Sequence, residues 1–252
     1  MGILNVTPDS FYGASRMQDA DSLSGRVERI VSEGASCIDI GACSTRPGAT
    51  VASADEERGR LEWSLPLIGR KNDGRCLLSV DTFRPEIAEW CIREHGTDIV
   101  NDVSGGNEEM YRLVASTGVR YVLTSAEPVA AETDIVSGTV EFFRDRLQRM
   151  AGLGVSVERQ VILDPGFGFG KTLEQNWQLL SRMSELQSFG LQVLAGLSRK
   201  SMAWKLLGIT PEECLPATIA MNLAALERGA SWLRVHDVRE AVQTVRVSGR
   251  LS

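Results

Sequence analysis

ILDPGFGFGKT, residues Ile162–Thr172, joins a short apolar run to a loop rich in glycine. The apolar run stops at Asp164, and glycines then occupy positions 166, 168 and 170. A short apolar run bounded by turn residues is typical of a buried strand. Glycines let a loop lie close to a ligand or to another loop, because they have no side chain. The stretch therefore predicts a buried strand that ends on a carboxylate facing a ligand.

The same pattern recurs along the whole chain. Eight apolar runs are predicted as strands: Ile3–Val6, Cys37–Gly41, Leu77–Val80, Asp98–Asp102, Tyr121–Leu123, Val161–Leu163, Val193–Gly196 and Trp232–Val235. Seven of the eight are followed by a carboxylate, amide, hydroxyl, guanidinium or imidazole group. Nearly continuous apolar strands fit a parallel sheet that is covered on both faces.

Amphipathic segments alternate with these runs. Leu61, Leu65 and Ile68 have the three-to-four residue spacing that gives a helix one apolar face. The predicted helices include Ser22–Ser32, Glu56–Ile68, Pro85–Glu94, Val140–Met150, Leu173–Met183 and Pro211–Glu227. Eight strand and helix units predict an α/β fold, a single (β/α)8 TIM barrel over residues 1–252 with its active site at the C-terminal ends of the strands. A doubly wound open sheet is the alternative, and the polar strand ends favour the barrel.

The composition excludes several classes of protein. The 252 residues carry a formal net charge of −6, which argues against a nucleic-acid partner because such proteins usually present a basic face. The five cysteines have no CxxC spacing, so free thiols in a reducing compartment are expected. No apolar stretch approaches the roughly 20 residues that span a membrane, and no signal pattern begins the chain. A cytoplasmic protein without a membrane partner is expected.

Three polar residues lie at the ends of neighbouring predicted strands: Asp81, Asn101 and Asp164. Buried carboxylates need hydrogen-bond partners, so a ligand rich in ring N–H and amino groups would suit them. The alternative for Asp81 and Asp164 is that each caps the helix that follows it, since carboxylates favour helix N-termini. Asp39, in the middle of a predicted strand, is interpreted as a carboxylate whose partners lie within the barrel.

Basic residues form a second group after strands two, seven and eight. Arg46, Lys200 with Ser198, Arg234 and His236 are its members. Barrels often bind phosphate at the loops after strands seven and eight, with the N-terminus of a short extra helix. The stretch SRKSMAWKLLG has the length for that helix. These residues predict an anion site.

Seven strings occur in the order and spacing of the dihydropteroate synthase family: GILNVTPDSF, STRPGA, SVDT, NDVSG, LDPGFGFGK, GLSRKS and RVHDV. The resemblance runs from Gly2 to about Val245. It implies a (β/α)8 transferase of folate biosynthesis, usually a homodimer and the target of sulfonamides. Such an enzyme joins p-aminobenzoate to 6-hydroxymethyl-7,8-dihydropterin pyrophosphate in the presence of Mg²⁺ and releases pyrophosphate and 7,8-dihydropteroate.

The resemblance also implies roles for individual residues. They are Asp81, Asn101, Asp164 and Lys200 for the pterin ring and for catalysis; Thr45, Arg46, Arg234 and His236 for pyrophosphate; Phe169, Lys200 and Ser201 for p-aminobenzoate; and Asn5 for Mg²⁺. Two departures from the family pattern stand out. VLTSAEP, with Thr124, replaces a Met-His-Met type string whose methionine packs on the pterin, and Cys43 replaces an acidic residue. The change to threonine predicts looser packing of the ring.

Two alternatives keep the fold and change the activity. Methyltetrahydrofolate-binding methyltransferase domains resemble this barrel, but they bind no pyrophosphate, which would leave Arg46, Lys200, Arg234 and His236 without a purpose. A non-catalytic or altered-specificity pterin-binding paralogue is supported by the changed fifth strand end alone. It predicts pterin binding without turnover.

Overall fold

The computed structural model describes residues 1–7, 16–43, 51–129 and 133–251, with only the backbone of residues 16–19. Eight parallel strands pair in chain order in a curved sheet. They are β1 Gly2–Asn5, β2 Cys37–Gly41, β3 Leu77–Asp81, β4 Ile99–Asp102, β5 Arg120–Thr124, β6 Val161–Asp164, β7 Gln192–Ala195 and β8 Trp232–Leu233. The sequential order excludes a doubly wound sheet, in which the strand order reverses.

Helices connect successive strands, as predicted. They are α1 Arg16–Ser32, α2 Ala54–Asn72, α3 Pro85–His95, α4 Glu108–Thr117, α5 Ile135–Gly152, α6 Val157–Gln160, α7 Leu173–Ser181, α8 Ser201–Leu207, α9 Leu215–Glu227 and α10 Val238–Ser248. Short 3₁₀ helices at Met183–Phe189 and Glu212–Cys214 precede β7 and α9. None of the helices in the described ranges is both long enough and apolar enough to cross a membrane.

Several predicted boundaries are wrong. The helix predicted over Pro211–Glu227 begins only at Leu215, because a 3₁₀ turn comes first and Pro216 lies in the first turn of the helix, where a missing N–H costs nothing. The helix predicted to end at Met183 ends at Ser181. The eighth strand ends at Leu233, two residues early.

Two of the helices expected after the strands had no predicted bounds. One is α4, which begins after Asn107, whose side chain accepts a hydrogen bond from the backbone N–H of Met110 at 2.9 Å. The other is α10, which follows the eighth strand. Both contribute apolar residues, such as Val114 and Ala241, to the core under the helices.

Alternation along the strands divides the sheet into two faces, because successive side chains point in opposite directions. One set, including Ile38, Val80, Val100 and Leu163, packs in the large core beneath the helices. We call this the outer face. The residues of the other parity point away from the helices, toward the inner face.

The inner face begins with an apolar layer at the N-terminal ends of the strands. This floor consists of Met1, Cys37, Ile99, Val122, Ile162 and Leu194, with Leu77 and Trp232 packed against them. One residue from nearly every strand contributes to it, as in the filled interiors of (β/α)8 proteins. This apolar floor therefore lies directly beneath the side chains at the C-terminal ends of the strands.

Hydrogen bonds join β1 to the segment that follows β8. The backbone N–H of Ile3 donates to the Val235 carbonyl at 2.9 Å, and the N–H of Val235 donates to the Met1 carbonyl at 3.0 Å. Gly2 and Val235 form a parallel bridge. The first and last strands thus lie side by side, which also explains why the polar residues after β8 lie beside those of β1.

Candidate active site

The inner face changes from apolar to polar toward the C-terminal ends of the strands. Asn101, Thr124 and Asp164 each stand two positions after a floor residue of the same strand, so alternation places their side chains on the same face. Asp39 and Asp81 have the same parity on β2 and β3. These five residues are buried or nearly so. The predicted pterin residues Asp81, Asn101 and Asp164 are therefore brought to one end of the sheet.

Asp39 is the centre of a buried hydrogen-bond network. Its carboxylate accepts from the Ser79 hydroxyl at 2.6 Å, from Asn101 Nδ2 at 3.1 Å and from Arg234 Nε at 2.7 Å. The interpretation of Asp39 as a carboxylate satisfied inside the sheet is confirmed. Its contact with Asn101 fixes which way that amide points, and Asn101 Oδ1 has no hydrogen-bond partner among the described residues.

Arg234 bridges two carboxylates. While Nε contacts Asp39, Nη2 donates to Asp81 Oδ2 at 2.6 Å. Burial disfavours the charged guanidinium, but Asp39 and Asp81 outweigh burial, and the pKa of Arg234 is raised. Two carboxylates thus share one guanidinium, which is a strong charge-assisted arrangement.

The carboxyl group of Asp81 is electrostatically unusual. Burial raises the pKa of Asp81, Arg234 opposes that change, and the nearby carboxylate of Asp39 raises the pKa further. Because Asp81 shares Arg234 with Asp39, the guanidinium compensates only part of the negative charge of Asp81. A ligand that donates an N–H group to Asp81 would supply the missing stabilisation of its charge.

The glycine-rich loop after β6 holds the Asp164 carboxylate in place. The backbone N–H of Gly166 donates to Asp164 Oδ1 at 2.8 Å. Gly166 has φ of 71°, and a side chain there would overlap the Ser125 carbonyl oxygen. Burial raises the pKa of Asp164, while the Gly166 N–H and Lys200 oppose that change. The loop needs its glycines because it lies against the end of β5.

Lys171 ties the same loop to the end of β5. Its Nζ donates to the Ser125 carbonyl at 2.6 Å and to the Gly166 carbonyl at 3.1 Å. Burial lowers the pKa of Lys171 to about 8, although Asp164 opposes the shift. Lys171 was not among the predicted site residues, because its partners are backbone oxygens that no residue pattern reveals.

Lys200 and Phe169 meet at the mouth of the site. The Lys200 ammonium lies 4.6 Å from the centroid of the Phe169 ring, a cation–π distance. Gly168 allows this approach, because a side chain there would come within 3.2 Å of Lys200 Cδ. Ser201 is the first residue of α8, the short extra helix predicted after β7. The three predicted p-aminobenzoate residues therefore lie on two adjoining segments.

His236 is oriented by the loop after β7. Its ring Nδ1 lies 3.0 Å from the Ser198 hydroxyl, and its backbone N–H donates to the same oxygen at 3.2 Å. Arg26 of α1 donates to the His236 carbonyl at 2.6 Å. A cavity of about 530 Å³ lies here between β1, α1 and the segment after β8, and its lining includes Asn5, Arg26 and His236.

Asn5 ends β1 beside Gly41 and Asp81. A side-chain carbon added to Gly41 would lie 3.3 Å from Asn5 Oδ1 and 3.7 Å from Asp81 Oδ2. The glycine thus leaves a space that two oxygen atoms border. Within the described residues, no group of three or more His, Cys, Asp or Glu side chains could hold a metal by itself. Thr45 and Arg46 lie outside the described residues.

The helix-capping alternative for Asp81 and Asp164 is wrong. The N-cap residue of α3 is Arg84, whose side chain makes no capping hydrogen bond. The N-cap residue of α7 is Thr172, whose hydroxyl accepts from the Gln175 N–H at 3.1 Å. Asp81 and Asp164 instead lie on the inner face, before the loops that lead to these helices. Ser79 was not predicted from the sequence, although the period-two alternation from Leu77 points to it.

Comparison with known proteins adds a family assignment. The sequence profile described as pterin binding enzyme matches residues 1–236. Dihydropteroate synthase of Escherichia coli K12 is 36% identical over 258 residues, covering 98% of this chain and 89% of that protein. Dihydropteroate synthase of Streptococcus pyogenes is 35% identical over 255 residues, covering 100% of this chain and 94% of the relative.

Solved structures give the same result. A dihydropteroate synthase of Clostridium difficile, determined in the presence of pteroic acid, superimposes with a TM-score of 0.93 at 33% identity, covering 100% of this chain and 95% of that one. The Xanthomonas albilineans enzyme with 4-aminobenzoic acid has a TM-score of 0.88 at 36% identity, with coverage of 100% and 92%. The similarity therefore extends over the strands and helices that carry the polar inner face.

Proposed function

The chain belongs to the dihydropteroate synthase family of pterin-binding enzymes, which are transferases, and we propose that the polar end of its inner sheet face is the active site. The reaction condenses 6-hydroxymethyl-7,8-dihydropterin pyrophosphate with p-aminobenzoate. One observation supports this placement above the others. Buried Asn101 and Asp164 and partly buried Asp81 present acceptors at one end of the sheet above an apolar floor, and a flat ring with N–H and amino groups matches such a surface.

We propose that the curved sheet is a single closed (β/α)8 barrel over residues 1–252. The bridge between Gly2 and Val235 supports closure. In such barrels the active site lies at the C-terminal ends of the strands, which is where the inner face of this chain becomes polar. Loops after several strands would then contribute to one site.

The pterin ring would be bound by Asp81, Asn101, Asp164 and Lys200. Displacement takes place at a CH₂ group attached to an electron-rich ring, so departure of pyrophosphate leaves positive charge delocalised into that ring. The carboxylates of Asp81 and Asp164 would stabilise this charge, because prepositioned charges act strongly in a site that excludes water. The arylamine of p-aminobenzoate is already a nucleophile. No covalent intermediate and no cysteine is needed.

The pyrophosphate would be bound by Arg234 and His236, with Thr45 and Arg46 of the second loop. Nε and Nη2 of Arg234 donate to Asp39 and Asp81, so a phosphate oxygen would approach the remaining edge of the guanidinium. Arg234 would then link the pterin site to the leaving group. His236, held by Ser198, would contribute a ring N–H.

A magnesium ion would fit next to Asn5. The amide oxygen of Asn5 is the kind of hard ligand that Mg²⁺ prefers, and Mg²⁺ usually takes one or two protein oxygens, with substrate phosphates and water completing its shell. The space that Gly41 leaves beside Asn5 is consistent with this. When bound, the ion would neutralise the negative charge of the departing pyrophosphate.

The aromatic ring of p-aminobenzoate would lie by Phe169 and Lys200, with its carboxylate near Ser201. The Lys200 ammonium lies 4.6 Å from the centroid of the Phe169 ring, and Ser201 begins α8, so the carboxylate would meet the first turn of a helix. A sulfonamide that mimics p-aminobenzoate would occupy the same place.

We also propose a homodimer in the cytoplasm. Leu206 and Leu207 on α8 and Val245 and Val247 on α10 are exposed apolar side chains, and exposed apolar surface often marks an interface. All five cysteines are buried free thiols, which fits a reducing compartment.

The decisive experiment measures pyrophosphate release by the purified protein. The dihydropterin pyrophosphate and Mg²⁺ are supplied with and without p-aminobenzoate. Release that depends on p-aminobenzoate is expected. Pterin binding without release would instead support the non-catalytic paralogue, while binding of methyltetrahydrofolate in a separate titration, without release of pyrophosphate, would support the methyltransferase alternative.

A further inference from the structure

Thr124 presents a buried hydroxyl at the C-terminal end of β5. The residue is fully buried, and its position two residues after the floor residue Val122 places its side chain on the inner face. Its Oγ1 has no hydrogen-bond partner within the described ranges. Burial of a hydroxyl without a partner is unfavourable, because water no longer satisfies it.

Several other buried hydroxyls in the described part of the chain are satisfied internally. The Thr139 hydroxyl in α5 donates to the Ile135 carbonyl at 2.8 Å, and the Thr97 hydroxyl donates to the Cys91 carbonyl at 3.1 Å. On the inner face itself, the Ser79 hydroxyl donates to Asp39 at 2.6 Å. Thr124 therefore differs from these hydroxyls, and the difference occurs at the candidate active site.

The neighbours of Thr124 on the inner face are acceptors. Asp164 on β6 is its register partner, and Gly166 already holds one oxygen of that carboxylate. Asn101 on β4 presents Oδ1, because its Nδ2 donates to Asp39. A carboxylate and an amide oxygen accept from ring N–H groups, whereas a hydroxyl can also donate. The acceptors of Asp164 and Asn101 and the hydroxyl donor of Thr124 together match a ring edge that carries both N–H donors and an acceptor.

We propose that the Thr124 hydroxyl donates a hydrogen bond directly to the bound pterin ring and that it sets the affinity of this chain for that ring. This inference rests on the proposed function, because it takes the pterin to be the ligand of the inner face. It also changes the expected effect of threonine at this position on pterin binding. The family resemblance predicted only a loss of apolar packing, whereas the unpartnered hydroxyl supplies a polar contact in its place.

The test compares Thr124→Val and Thr124→Ser with the unaltered chain. Valine keeps the shape of threonine and removes the hydroxyl, and serine keeps the hydroxyl. The probe is 6-hydroxymethylpterin, titrated by calorimetry without p-aminobenzoate. Loss of one neutral hydrogen bond predicts about 3- to 10-fold weaker binding for valine, and near-normal binding for serine.

A second readout distinguishes ligand binding from a structural role. Without ligand, valine removes an unsatisfied buried group, so the melting temperature of Thr124→Val should be unchanged or higher. Thr139→Val is the matched control, since it removes a satisfied buried hydroxyl far from the site. It should lower the melting temperature and leave pterin affinity unchanged.

Three outcomes would overturn the inference. Equal or tighter pterin binding by Thr124→Val would show that the hydroxyl makes no bond to the ring. A parallel loss of melting temperature and affinity in that variant would show a structural role. If the unaltered chain itself fails to bind 6-hydroxymethylpterin, this inference is wrong, and pyrophosphate release that depends on p-aminobenzoate then decides separately whether the proposed function stands.

Discussion

Arg234 and Asp39 are 195 residues apart in the chain, and their side chains meet inside the sheet at 2.7 Å. The same carboxylate also accepts a hydrogen bond from Asn101, and the same guanidinium reaches Asp81. Asp39 is the middle residue of β2, so it does not lie among the loops that follow the strands. It therefore acts by holding two proposed ligand-binding side chains in position.

Asp39→Asn should destabilise the protein strongly. The substitution removes the negative charge that compensates buried Arg234, and breaking a buried ion pair on one side costs about 3–5 kcal/mol. Urea denaturation should show this loss in the free energy of unfolding. Glu89→Gln is the control, because it breaks an exposed pair with Arg93 at 2.8 Å that is worth less than about 1 kcal/mol. Similar losses in the two variants would contradict the central role of Asp39.

Asp164→Asn should lower kcat/KM by about 100-fold or more. The amide keeps an oxygen for the Gly166 N–H, so the loop stays in place while the charge that stabilises the developing cation is lost. Steady-state pyrophosphate release measures the effect. Cys43→Ser, at a buried thiol after β2, should change the rate far less. An equal loss in both variants would argue that Asp164 contributes only through folding.

Gly166→Ala should displace the loop after β6. The residue has φ of 71°, where a Cβ is strained, and its Cβ would overlap the Ser125 carbonyl oxygen. We expect a loss of stability above about 1 kcal/mol together with weaker p-aminobenzoate binding, since Phe169 lies on the same loop. The control is Gly59→Ala in α2, where an added Cβ would meet open space. This substitution should raise the free energy of unfolding by about 1 kcal/mol.

Lys171 should make stability depend on pH in the alkaline range. Burial lowers the folded-state pKa from the usual 10.5 to about 8, so between these values the unfolded chain binds more protons than the folded protein. The contribution of Lys171 to stability therefore rises with pH across this window, by on the order of 2–3 kcal/mol.

Chemical denaturation of the unaltered chain and of Lys171→Met between pH 7.5 and 10.5 checks this. The difference in the free energy of unfolding, unaltered chain minus variant, should increase with pH. Lys71→Met removes an exposed lysine that pairs with Glu28, and it controls for the general effect of losing a positive charge. A difference that falls with pH would refute the expected direction.

Leu206→Glu should dissociate the proposed homodimer. Leu206 is 65% exposed on α8, and a buried unpaired carboxylate in an apolar interface costs several kcal/mol. Analytical ultracentrifugation should show a monomer for this variant and a dimer for the unaltered chain. Val51→Glu, at another exposed apolar residue before α2, should remain dimeric. A monomeric unaltered chain would contradict the dimer itself.

Much of the fold could be predicted from local pattern. Apolar runs such as Cys37–Gly41 coincide with a strand of the structure, because short, nearly continuous apolar runs are typical of parallel strands that are buried on both faces. The bounds of α4 and α10 were not predicted, and Asp81 and Asp164 were considered as caps of α3 and α7, whose N-cap residues are Arg84 and Thr172. A helix boundary depends on backbone geometry that residue type alone constrains weakly.

The sequence by itself determined the eight strand and helix units and the polar residues that follow the strands, because both are properties of short segments. Only the tertiary structure decided which of these residues share a partner. Asp39 binds Ser79, Asn101 and Arg234, and Thr124 binds none of the described residues through its hydroxyl. Strand register and sheet curvature bring distant positions within hydrogen-bond reach, and these depend on the packing of the whole sheet.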